Sequence, residues 1–199
     1  MSQCLEQFSP KQALIPRTDL RSKTFREFLA LSAQTHCRLI IPSSGQRLPI
    51  EHGVELEVLH APIELPGDGR ADDTGLVIRL HWQGWKILFT GDAGYVTETR
   101  LLESGRDLSA DVIISGRNRD DFTGREEFYR AVAPQVIISS NCNFPVHERI
   151  PGDWYTTTKN LGITTFDQNR YGALTLSIEK QGLIITPTLE PDSVFTVSR

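Results

Sequence analysis

The chain has 199 residues, 39% of them hydrophobic, and a formal net charge of −4. That length suits one domain with a real core, and the net acidity argues against a broad surface for nucleic-acid phosphates. No apolar run approaches the ~20 residues of a membrane span, and Met1 to Pro10 has neither the basic start nor the apolar centre of a signal peptide.

Cys4, Cys37 and Cys142 are odd in number and far apart, so they read as small thiols and not as a disulfide framework or a zinc ribbon. In chain order, Cys4 to Phe8 reads as a helix ending before Pro10, and Gln12 to Ile15 as a short strand. Ser22 or Thr24 is placed to cap a helix whose Phe25, Phe28, Leu29 and Leu31 share one face through Thr35. Arg38 to Ile41 is a strand, Ser43 to Gln46 a turn, and Val54 to Leu59 alternates like a half-buried strand. Ala61 to Ala71 carries prolines and glycines and reads as a surface loop.

Leu76 to Leu80 and Trp85 to Phe89, joined at Gln83-Gly84, form a hairpin. Its second strand runs out at Thr90-Gly91-Asp92-Ala93-Gly94, which leaves Asp92 at a strand end, where a carboxylate can ligate a metal or act as a base. The plainer role for Asp92 is a cap on the helix expected over Thr97 to Leu102. Strands follow at Asp111 to Ser115 and Gln135 to Ser139, with a helix between them at Arg125 to Val132. Trp154 to Leu161 reads as a helix stopped by Gly162, and Ile163 to Phe166, Ala173 to Glu179 and Leu183 to Thr188 as strands. From Glu190 a loose tail is expected, so residues 1–199 form a single α/β domain with 190–199 as its tail.

Several of these stretches, in unbroken order, resemble the metallo-β-lactamase fold, and within it the C-terminal domain of the ComEC family of competence DNA-uptake proteins. Asp72-Asp73-Thr74-Gly75-Leu76-Val77-Ile78 is similar to that family's Asn-Asp-x-Ser-Leu-Val-Leu strand, and Leu88-Phe89-Thr90-Gly91-Asp92 to its Leu-Leu-Thr-Gly-Asp. Ala110-Asp111-Val112-Ile113-Ile114-Ser115-Gly116 agrees with the next strand, but Arg117-Asn118-Arg119-Asp120 stands where the family has His-His-Gly-Ser. Pro134 to Ser139, Thr165-Phe166-Asp167-Gln168 and Gly172-Ala173-Leu174 resemble the remaining motifs, so the likeness covers most of Asp72 to Ile185.

The resemblance implies an αββα sandwich, incomplete at its N-terminal side. The family's first metal-binding stretch, His-x-His-x-Asp-His, is missing, and the resemblance places it before the region corresponding to Met1. The five histidines are solitary. Of the family's ligand positions, the resemblance carries over Asp92 as a vestigial metal ligand and His147 as a weak, out-of-register one. Arg117 and Asn118 mark former metal positions, and an arginine cannot give a metal a lone pair. A surface loop is the plainer place for His147. A magnesium site from Asp92, Asp120, Asp121 and Asp167 is a second arrangement.

The expected function is therefore a degenerate, non-catalytic domain that binds or scaffolds in DNA uptake, with no cofactor. The alternative is a metal-dependent phosphodiesterase or nuclease whose zinc or manganese site another segment completes. A third reading is a nucleic-acid-binding remnant in which Arg117, Arg119, Arg125 and Arg130 contact DNA, although the acidic residues among them read more simply as a mixed solvated face. The resemblance implies an N-terminal or membrane-embedded part of a ComEC-like protein as partner, with this domain outside the cytoplasm; self-association is a further expectation. Two structural expectations follow. An incomplete sandwich leaves an apolar sheet face uncovered, and a buried Asp92 without metal pairs with Arg117.

Overall fold

A computed structural model of the chain describes residues 2–18, 22–63, 72–116, 124–141 and 149–198. Its centre is a seven-stranded mixed sheet in sequential order β3 to β9: Arg47–Glu51, Val54–His60, Val77–Trp82, Trp85–Gly91, Val112–Ser115, Val136–Ser139 and Thr164–Asp167. Strands β3 to β6 run antiparallel and β6 to β9 parallel. The parallel half needs crossovers, and its helices supply them: α3 (Tyr95–Glu103), α4 (Glu126–Val132) and α5 (Gly152–Asn160). All five motif strands from Val77 to Asp167 are consecutive neighbours in this sheet.

Alternation decides what covers each face. Leu88, Ile113 and Ile137 point to the helix side, against Leu101 of α3, Phe128 and Val132 of α4 and Trp154 of α5. Ile87, Val112, Val136, Ile138 and Phe166 point the other way, onto Leu183 and Ile185 of β11 (Gly182–Pro187) and Val197 of β12 (Phe195–Val197). Each such buried aliphatic side chain contributes ~1.5–3 kcal/mol. The three-stranded sheet is completed by β10 (Leu174–Glu179), which sends Leu176 and Ile178 toward the same core.

The N-terminal part, α1 (Ser2–Phe8), β1 (Gln12–Leu14), α2 (Lys23–Gln34) and β2 (Arg38–Ile40), has a small core of its own from Leu5, Ile15, Phe28 and Cys37. Ser22 caps α2 as expected, its Oγ accepting from Phe25 N at 3.1 Å.

The mixed α/β class is as expected. The layers observed among the described residues are helices, large sheet and small sheet; α1 and α2 pack in their own cluster and do not supply the fourth, outer helix layer there. The expected uncovered apolar face is also corrected: both faces of the large sheet carry buried clusters, and exposed apolar residues such as Ile41, Ile50 and Leu189 are scattered. Nor is the C-terminal segment loose throughout, since Phe195 and Val197 pair with Ile185 and Leu183 and Val197 is fully buried. Among the described residues no helix is long and apolar enough to cross a membrane.

Candidate functional site

Strands β6 to β9 end on one edge, where open α/β sheets collect their ligands. One register row crosses it: Gly91, Ser115, Ser139 and Asp167. Asp92 follows directly. Its Oδ1 lies only 2.0 Å from where a Cβ on Gly116 would sit, so the absence of a side chain there gives the carboxylate its place over β7. Gly116 N donates to Gly91 O at 2.8 Å and ties the two strand ends together.

Asp92 is solvent-exposed, which corrects the expectation that its carboxylate is buried. Arg117, Asn118, Arg119, Asp120, Asp121 and His147 lie outside the described residues, and with them the Asp92–Arg117 pair and the weak histidine ligand.

The second carboxylate of the edge, Asp167, is committed to holding it together. Its Oδ2 accepts from Asn141 Nδ2 at 2.7 Å and from the Tyr155 hydroxyl at 2.9 Å, and its Oδ1 accepts from Asn169 N at 2.8 Å. Burial, and then the hydrogen bond to Asp167, push the Tyr155 phenol up to about 12. Asn141 in turn accepts from Ile150 N at 3.1 Å, so the ends of β8, β9 and the approach to α5 are linked through one amide. Among the described residues no group of three or more His, Cys, Asp or Glu is placed to hold an ion, and three hydrogen bonds already occupy Asp167.

Beneath the edge lies a polar cluster that the sequence reading missed. Asp73, 1% exposed, stands in for the cap that Gly94 cannot supply to α3. Its Oδ1 accepts from Thr97 N at 3.2 Å and Thr97 Oγ1 at 2.7 Å, while its Oδ2 has no hydrogen-bond partner. Glu98, also buried, accepts from Gly124 N and, at 3.1 Å, from Arg125 N, and so fixes the entry to α4. Burial raises Glu98 to about 7, against the pull of those hydrogen bonds and of Arg125. Between Glu98, Thr90, Ser115 and Tyr129 is a cavity of about 10 Å³, the size of one water molecule, and Ser115 Oγ there is unpartnered. The available signal was the pairing of Thr97 and Glu98 at core-facing positions beside Leu101 of one helix.

Two of the candidate nucleic-acid contacts can be placed. Arg125 donates to Tyr95 O at 3.2 Å and Thr99 Oγ1 at 2.6 Å, lies over the Tyr95 ring, and sits 3.5 Å from Glu98. Arg130 pairs with Glu126 one turn back on α4. Both guanidiniums are thus engaged within the chain.

No family model and no curated protein matches this chain. Among solved structures, it is similar to that of a candidate metal-dependent hydrolase from Parabacteroides distasonis ATCC 8503. That similarity has a TM-score of 0.49 and 13% identity, and covers 79% of this chain and 76% of the other.

Proposed function

We propose that this chain is a non-catalytic binding domain of the metallo-β-lactamase-like type, with a role resembling that of the ComEC family in DNA uptake. The observation that carries the reading is the chemistry of the carboxyl edge. Where a hydrolase of this type needs imidazoles, the row among the described residues holds buried hydroxyls, Ser115 and Ser139, and an aspartate bonded to Asn141, Tyr155 and Asn169. Hydroxyls and amides at strand ends recognise a ligand by hydrogen bonds without lowering the pKa of a water. The ordered likeness of Asp72 to Ile185 to the family's motifs supports the DNA-uptake role, with a membrane-embedded part of such a protein as the partner.

The test is elemental analysis of the purified chain alongside binding to single-stranded DNA over a range of salt. Less than one zinc or manganese per chain, with DNA binding that weakens as salt rises, is the expected result. Stoichiometric metal lost on Asp92→Ala substitution would overturn it in favour of a metal-dependent phosphodiesterase, the reading that the exposed position of Asp92 favours.

A further inference from the structure

We propose that a groove between the end of β4 and the last turn of α3 binds a small organic phosphate, a function separate from the carboxyl-edge reading. The groove has a volume of about 540 Å³, within the usual range of small-molecule sites. Leu59 and Pro62 give it an apolar wall, and Arg100, Arg106, His60 and Ser44 face it with polar groups.

Three features mark it as built. First, Arg106, though exposed, reaches across to the turn before β3. Its guanidinium lies over the turn at Gly45, where a Cβ would meet Nη1 at 2.4 Å, and Nη2 donates to Ser44 O at 3.4 Å. The turn is itself pinned to the end of β4, because Ser44 Oγ accepts from Ala61 N at 2.9 Å. Second, neither Arg100 nor Arg106 has a carboxylate partner among the described residues, whereas Arg79 pairs with Glu57 and Asp107 and Arg125 with Glu98. Third, His60 is only 8% exposed and its Nε2 has no hydrogen-bond partner. Burial, and then Arg100, hold its pKa below the ordinary value, so the imidazole is neutral at neutral pH and free to donate or accept.

Two guanidiniums arriving from different segments suit a dianion with three acceptor oxygens better than a carboxylate with two. The apolar wall and the volume call for an organic body attached to it. A phosphomonoester carrying a planar or apolar group meets both demands.

The experiment uses the full chain and calorimetric titration with AMP, then with inorganic phosphate. AMP is expected to bind saturably and inorganic phosphate roughly tenfold more weakly. Arg100→Ala with Arg106→Ala is expected to weaken AMP by at least about tenfold with an unchanged circular dichroism spectrum. Lys180→Ala, which removes one positive charge at the turn between β10 and β11, should leave AMP binding as it was. A single-stranded oligodeoxynucleotide lacking terminal phosphates should not displace AMP. Absent saturation, equal affinity for bare phosphate, equal loss in the lysine control, no loss in the double variant, or displacement by the oligonucleotide each overturns the assignment.

Discussion

Two buried polar clusters lie on the helix side of the same sheet, and they differ in how completely their atoms are used. In the antiparallel half, Arg79 is 2% exposed and its donors are matched to acceptors. Nε and Nη2 reach Glu57 Oε2 at 3.2 and 2.7 Å, and Nη1 reaches Asp107 O and Ser109 O, each at 2.9 Å. His81 Nε2 meets the same Glu57 oxygen at 2.9 Å, and Arg47 and Lys86 extend the ladder to Glu57 and Asp107. In the parallel half, Asp73 Oδ2 and Ser115 Oγ are buried without hydrogen-bond partners, and Arg125 Nε meets Glu98 Oε2 only as an ion pair at 3.5 Å. A saturated network specifies structure; unspent polar capacity gathers beside the edge where a ligand would sit.

The sharpest break of the saturated cluster is Arg79→Ala. Burial disfavours the charge on Glu57, and the hydrogen bonds from Arg79 and His81 more than offset it, holding its pKa below the ordinary value. Removing Arg79 leaves that carboxylate without its main partner, and the expected loss is ~3–5 kcal/mol in urea unfolding. Adding Glu57→Ala should recover part of it, since the orphaned charge is then gone. A loss below ~1 kcal/mol would place Arg79 with ordinary surface ion pairs.

Gly116→Ala probes the other side of the comparison. The new Cβ meets Asp92 Oδ1 at 2.0 Å and the Gly91 carbonyl carbon and oxygen at 2.9 Å. The expected cost is about 2 kcal/mol. Asp92→Ala in the same chain should relieve only part of that cost, because a side chain can move away and the Gly91 backbone cannot. Full relief would mean that β6 and β7 are not held together at their ends as the Gly116–Gly91 bond implies.

The fold was legible wherever apolar periodicity survived burial on one or both faces. Val54 to Leu59, the hairpin to Phe89 and the apolar runs at Val112, Val136 and Ile163 all became strands, or parts of strands, in the order read. Strand β3 escaped notice because Arg47, Pro49, Ile50 and Glu51 are all exposed and carry no alternating pattern. Strand β12 is three residues long and exists by pairing with β11, a non-local cause. At the site, Asp92 was legible as a strand-end carboxylate, but its exposure was not. Arg79 became a buried staple only through the register that sets it opposite Glu57. Arg125 looked like a free cation, and only the packing of α3 against α4 gives it Glu98.

Glu98 decides how far the contrast between the clusters goes, through the sign of a slope. Its folded pKa of about 7 lies above the ordinary 4.5, with burial as the main cause. Between those values the native chain binds more protons at Glu98 than the unfolded chain does, so stability falls as pH rises through that window. The contribution is complete below the unfolded pKa and is lost by the folded one. His60 acts in the opposite sense, because burial depresses its pKa and its stabilising share grows as pH rises toward 6.5. Glu98→Gln isolates the carboxyl from that background: the amide keeps an oxygen to accept from Gly124 N or Arg125 N and cannot titrate. The stability of the unaltered chain relative to the glutamine variant is therefore expected to drop by about 1 kcal/mol between roughly pH 6 and pH 7 in parallel urea titrations. If Arg125 and the two backbone donors outweigh burial, the difference has the other sign and appears at acid pH, where a depressed carboxylate is protonated. Glu98 would then belong with Glu57 among the paired ions, and the polar cluster under the edge would be saturated at that position too.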